Sequence, residues 1–164
     1  MIAIYLAAGK SSRMGGKKLV LPIFNKPLGS IALEKLLASS IKYILVIVNK
    51  EDNLNWINKW MMKQLQQGRG DIIVGMDAEK GLSHSLRCGI KKAIERKEET
   101  VIICLADQPF ITEDMIHVLE TQSKSAKDDY IASSHNGHIK PPIVFTAKTF
   151  QELLKISGDY GAKK

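Results

Sequence analysis

Short, continuously apolar runs alternate along this chain with longer stretches in which apolar residues recur every three or four positions. Ile2-Ala3-Ile4-Tyr5-Leu6, Tyr43–Val48, Asp71–Val74 and Thr100–Leu105 are of the first kind, and they predict strands covered on both faces. Leu28, Ile31, Ala32 and Leu36 predict a helix over about 27–40. Leu54, Ile57, Trp60, Met61 and Leu65 predict a second helix, ending at Gly68-Arg69-Gly70. Leu86, Ile90, Ala93 and Ile94 predict a third, opening at Gly81, and Met115, Ile116 and Leu119 a fourth. Thr112 is placed to cap that fourth helix, with Glu113 and Asp114 favourable against its dipole. Asp129–Ala132 and Ile143–Phe145 read as two further strands joined through a polar loop, Ser133–Pro142, before a last helix over 147–157.

Strands alternating with helices imply a largely parallel α/β sheet with helices on both faces. Ligands in such sheets bind beyond the carboxyl ends of the strands. Three polar features fall there together: the loop at 7–18, the helix start at 81–86, and Asp107 at the end of the fourth strand.

The loop is the most informative of the three. After the first strand the chain breaks into Ala7-Ala8-Gly9-Lys10-Ser11-Ser12-Arg13-Met14-Gly15-Gly16-Lys17-Lys18. Small residues let backbone approach a ligand, and bare amides can face an anion. Arg13 offers a planar fork to phosphate oxygens and Lys18 a point charge. Neither a Walker loop nor a GxGxxG fingerprint is spelled. A basic, Gly-rich strand exit also suits plain solvated surface, so the other two features decide its weight. Asp107, facing such a loop, is positioned to hold Mg²⁺, which takes one or two carboxylates plus phosphate oxygens. The plainer alternative is an Asp that caps the next turn.

Composition narrows the partners. The 164 residues suggest one domain, and 24 Lys+Arg against 17 Asp+Glu leave a net charge of +7, which suits anionic ligands. The lysines are scattered over helix faces with no aromatic-interleaved stripe, which argues against nucleic acid. No run approaches the ~18 apolar residues of a membrane span, so no membrane partner is expected. Cys88 and Cys104 lie in apolar patterns without metal spacing and read as reduced core thiols of a cytoplasmic protein. His84 between Ser83 and Ser85 has no orienting acid and neighbours in a helix do not face one another, so a hydrolase dyad is disfavoured. His135 and His138 read as loop residues rather than metal ligands, and Trp56, Trp60, Met61 and Met62 as core rather than a ligand platform.

Leu6-Ala7-Ala8-Gly9-Lys10-Ser11-Ser12-Arg13-Met14-Gly15, followed by Lys18-Leu19-Val20-Leu21-Pro22, resembles the signature of the MobA-like nucleotidyltransferases. Gly81-Leu82-Ser83-His84-Ser85-Leu86-Arg87-Cys88-Gly89, Leu105-Ala106-Asp107-Gln108-Pro109, Pro142-Ile143-Val144-Phe145 and Gly158-Asp159-Tyr160-Gly161-Ala162-Lys163 are similar to later segments of its molybdenum cofactor cytidylyltransferase branch. The resemblance implies a Rossmann-like three-layer α/β/α fold of the nucleotide-diphospho-sugar transferase kind, mostly parallel with one antiparallel strand. It implies that Ala7, Ala8 and Gly9 hold base and ribose, that Ser85 helps hold the base, that Arg13 and Lys18 bind the triphosphate, and that Asp107 ligates Mg²⁺. The implied reaction transfers CMP from CTP to the terminal phosphate of molybdenum-bound molybdopterin, for a xanthine-dehydrogenase-type hydroxylase or its accessory protein. Rival readings are GTP or another NTP with another small phosphate acceptor, and a non-catalytic chaperone of the cofactor. Residues 1–164 then form a single nucleotidyltransferase domain, lacking the closing segment into which relatives continue, with Asp159 a weak candidate for a second metal carboxylate.

Overall fold

The computed structural model describes residues 1–9, 18–75, 81–125 and 127–157. In chain order these form β1 (Ile2–Leu6), a small arm of β2 (Pro22–Ile23) and β3 (Lys26–Pro27), α1 (Leu28–Ala38), β4 (Ile44–Val48), α2 (Lys59–Gln64) and β5 (Gly70–Val74). There follow α3 (Leu82–Glu95), β6 (Thr100–Leu105), α4 (Glu113–Ser125), β7 (Tyr130–His135), β8 (His138–Thr146) and α5 (Phe150–Lys155). The main sheet has the order β5-β4-β1-β6-β8-β7. Its first four strands are parallel, and β8 alone runs against its neighbours β6 and β7. The fold is therefore the expected three-layer α/β/α arrangement with one antiparallel strand.

β1 and β4 are buried along their whole length, as continuous apolar runs require. Alternation assigns the two faces. Ala3, Tyr5 and Ala7 join the core under α1, α2 and α4, whereas Ile2, Ile4, Leu6 and Ala8 join the core under α3 and α5. Tyr5 donates its hydroxyl to the Gly29 carbonyl at 2.7 Å and lies 6.1 Å from the Trp56 ring. On the opposite face α3 approaches so closely that a Cβ at Gly89 would stand 2.5 Å from Ile4 Cγ2. Thr112 caps α4 as expected, its Oγ1 accepting from Met115 N at 3.1 Å.

Two expectations are corrected. The second helix begins at Lys59, not near Leu54, because Leu54 has a left-handed φ of 60° in a turn where Asp52 Oδ1 accepts from its N–H at 2.8 Å. Asn58 caps the helix instead, so Trp56 and Met61 are buried as expected, while Trp60, read as core, points outward and is half-exposed. The stretch Ser133–Pro142 is not a loop but the body of a hairpin. Asn136 (φ 51°) and Gly137 (φ 76°) form its two-residue turn, the left-handed pair that a type I′ hairpin needs. His138, read as a loop residue, therefore begins β8, and His135 ends β7. Among the described residues no helix is long and apolar enough to cross a membrane.

Candidate active site

The site begins with two strand exits locked side by side. The register pairs Leu6 with Leu105, and Ala106 donates its N–H to the Leu6 carbonyl at 3.0 Å, which carries the parallel ladder one step beyond the strands. The segments Ala7–Ala8 and Ala106–Asp107 thus leave the sheet as neighbours, at about the 4.8 Å spacing of adjacent strands. On the other side Ala7 N–H bonds the Ile47 carbonyl at 2.9 Å, and Asn49 donates its Nδ2 to the Ala8 carbonyl at 3.2 Å. Ala7 and Ala8 are buried, whereas Gly9 is exposed with no described residue within 4 Å of where a Cβ would project. Small residues therefore bring main chain to an open rim.

Lys18 returns to that rim at the start of a 3₁₀ turn, Lys18–Val20. Its Nζ lies 2.9 Å from Asp107 Oδ2, joining residues 89 positions apart, with both side chains partly open to solvent. The ion pair brings together two of the predicted site residues. Arg13 and Asp159 lie outside the described residues, as does the segment Gly158–Lys163.

The third component is the first turn of α3. Gly81 precedes it with a φ of 125°, and no side chain among the described residues caps the helix. Gly89 rests on Ile4, so Ser85, one 5.4 Å turn nearer the helix start, lies toward the Leu6–Ala8 end of β1. Ser83 and Ser85 are buried, yet neither hydroxyl has a hydrogen-bond partner among the described residues. Gln108 Oε1 is buried and unpaired as well. Leaving such a group without a partner costs about 1–3 kcal/mol each. Ser85 at the start of α3 and Gln108 beside Asp107 both belong to elements that meet this rim, and a polar ligand there could complete their bonding. Neither serine bonds His84, so there is no serine–histidine dyad among the described residues.

Sequence reasoning missed Asn49, Gln108 and Ser83. Gln108 had a visible signal in its place beside Asp107. Asn49 acts through a backbone carbonyl 41 residues away, which no local spacing encodes.

No group of three or more His, Cys, Asp or Glu side chains among the described residues is assembled as a metal site. Asp107 therefore offers one carboxylate, which suits a cation whose remaining ligands are phosphate and water rather than an all-protein cage. Both thiols are quiet: burial pushes Cys104 up to about 12 and raises Cys88. His138 lines a different feature, a cleft of about 780 Å³ between the β7–β8 hairpin and α5, with Tyr130, Lys140, Phe145 and Glu152.

Residues 3–164 match the MobA-like NTP transferase domain. The chain is 36% identical over 165 residues to the purine catabolism protein PucB of Bacillus subtilis, covering 100% of this chain and 79% of PucB. It is 27% identical over 157 residues to a probable molybdenum cofactor guanylyltransferase of Thermococcus sibiricus, covering 94% and 73%. Among solved structures, Rv0371c from Mycobacterium tuberculosis superposes with a TM-score of 0.75 at 18% identity, over 96% of this chain and 77% of that one. Its complex with manganese gives a TM-score of 0.71 at 16% identity, with coverage of 96% and 77%. At that identity the structural likeness establishes the fold alone.

Proposed function

The chain belongs to the MobA-like NTP transferase family, and from that premise we propose that it moves CMP from CTP onto the terminal phosphate of molybdopterin, releasing pyrophosphate. As a member of that family it is a nucleotidyltransferase. The observation that carries the placing of the transfer site is the 2.9 Å Lys18–Asp107 pair at the joint exit of β1 and β6.

In this reading the main chain of Ala7, Ala8 and Gly9 receives ribose and base, and the Ser85 hydroxyl, without a partner among the described residues, takes a polar edge of the base. Arg13 and Lys18 hold the triphosphate, and the Asp107 carboxylate holds Mg²⁺. Held by Asp107, such a metal would supply charge neutralisation at the phosphates. Lys18 leaves Asp107 for the phosphates as the nucleotide enters, so its ammonium is not left unpaired in either state. An oxygen of the acceptor phosphate forms a bond to the α-phosphorus. The bond from that phosphorus to the bridging oxygen breaks, and pyrophosphate departs with the electron pair. No protein nucleophile is required. Arg13 and Lys18 stabilise charge as it moves onto the leaving group, where fixed cations act most strongly.

Support for molybdopterin and for a xanthine-dehydrogenase-type hydroxylase downstream comes from the two relatives, one named for purine catabolism and one for the molybdenum cofactor. Support for a divalent metal comes from the manganese complex of the structural neighbour. CTP rests on the resemblance of the motifs, among them Ala7-Ala8-Gly9, to the cytidylyltransferase branch, and the guanylyltransferase relative favours GTP as the rival nucleotide. The test is pyrophosphate release with molybdopterin and Mg²⁺, comparing CTP with GTP. Release with CTP, abolished in Lys18→Ala and Asp107→Ala, is the expected result. Turnover with GTP alone transfers the reading to a guanylyltransferase, and cofactor binding without turnover of either nucleotide overturns it in favour of a chaperone.

A further inference from the structure

Phe24 and Phe110 are the most exposed large apolar side chains among the described residues, at 73% and 76%. They come from distant parts of the chain, the β2–β3 turn and the segment after β6. Their rings nevertheless meet, with centroids 6.3 Å apart and planes inclined at 69°. Phe24 is carried there by the two-residue β2–β3 turn, in which it and Asn25 take the left-handed backbone (φ 50° and 61°) that such a hairpin needs. Even paired, both rings keep most of their surface in water, which leaves apolar area for a further planar group.

Their supports are the two elements of the site. The β2–β3 arm grows directly from the Lys18–Val20 turn, and Leu28 N–H closes it onto the Leu21 carbonyl at 2.9 Å. Phe110 stands three residues beyond Asp107, across the rigid Pro109, so their Cα atoms are at most ~11 Å apart. The Lys18–Asp107 pair ties the two supports together. Two rings set nearly at right angles make a corner with a floor and a wall. A planar ring can stack on one face and present its edge to the other, the two arrangements aromatic systems prefer. The corner is too small for a protein partner: two Phe side chains bury about 150–250 Å² each at most, against ~800 Å² per side in a stable protein interface.

We propose that Phe24 and Phe110 form the acceptor subsite, a stacking corner for the pterin ring of an acceptor whose phosphate lies at the Lys18–Asp107 rim. This rests on the transfer to molybdopterin argued above. It assigns roles to two residues that the nucleotide chemistry leaves idle.

Fluorescence titration with 6-hydroxymethylpterin tests it, using the full chain with Mg²⁺ and CTP present. Saturable quenching is expected for the wild type. Phe24→Ala and Phe110→Ala should weaken it about tenfold or more, and Phe110→Tyr should retain it. Calorimetric CTP binding and the melting temperature should be unchanged in all three, since both rings are solvent-facing. Alanine variants that quench like the wild type, or a wild type that binds no pterin, overturn the corner. Steady-state transfer separates this from the wider reading. Transfer to molybdopterin with an unaltered KM in both alanine variants removes the corner and leaves the transferase. Phe-dependent pterin binding without any transfer keeps the corner as a pterin site and removes the transfer.

Discussion

Replacing Lys18 by Met removes one charge and keeps a flexible apolar stem, so it separates what the ammonium does for the fold from what it does for the reaction. The Lys18–Asp107 pair is 2.9 Å long, but its side chains are 38% and 42% exposed. Exposed pairs of this kind contribute about 0–1 kcal/mol, because solvent screens them and two long side chains lose freedom. For a domain of this size, 1 kcal/mol moves Tm by roughly 2–4 °C. The melting temperature should therefore fall by less than about 4 °C. Turnover should respond differently. Loss of a fixed cation facing developing charge costs about 10²–10³ in kcat. A third readout has the opposite sign: with Lys18 gone, Asp107 is no longer occupied, and Mn²⁺ added without nucleotide should bind more tightly by calorimetry. Pyrophosphate release, thermal melting and metal titration on the same preparation measure all three. Unchanged kcat in Lys18→Met, or a loss of activity that merely follows unfolding, refutes the reasoning.

Further substitutions probe the same rim and its supports. Ser85→Ala removes a buried hydroxyl that has no partner among the described residues, so denaturant unfolding should show equal or higher stability, by up to about 1 kcal/mol, while KM for the nucleotide rises; a clear loss of stability would contradict that unpaired state. Gly89→Ala forces a Cβ to within 2.5 Å of Ile4 Cγ2 and should cost about 1–3 kcal/mol in urea unfolding, with Tm unaltered being the opposing result. Alkaline pH tests the interior. Burial raises the Cys104 thiol from 9.0 to about 12 and also raises Tyr5. The unfolded chain therefore loses the thiol proton first, and stability should decline as pH rises from 9 toward 12, by at most about 1.4 kcal/mol per pH unit for that one proton. Cys104→Val should flatten this decline, and an unchanged slope in the variant would remove the thiol from the explanation.

Much of the architecture could be read from apolar spacing because the strands that matter are buried on both faces. Ile2–Leu6, Ile44–Val48 and Thr100–Leu105 have almost no polar interruption, and such runs have few alternatives. The errors fell where a local polar group overrode periodicity. Asp52 holds a turn at Leu54 and its carboxylate accepts from Trp56 Nε1 at 3.0 Å, which ends the helical pattern before Asn58 restarts it. In the hairpin, half-exposed strands around Pro141 and Pro142 diluted the alternation, although Asn136-Gly137 is a strong turn signal in its own right. The site was legible as three separate features. What joins them was not: the Lys18–Asp107 contact and the Phe24–Phe110 corner each span about half of the chain. Such contacts are set by sheet order, which carries both strand exits to one edge and leaves no trace in local spacing.

Crystallography with Mn²⁺ and a non-hydrolysable CTP analogue addresses the central claim most directly, because manganese can be located by its anomalous signal. The account expects one peak at the Asp107 carboxylate, shared with the phosphates, and Lys18 Nζ moved from Asp107 onto a phosphate oxygen. Nucleotide bound away from Gly9 and Ser85, with the Lys18–Asp107 pair intact and no metal at Asp107, would contradict it.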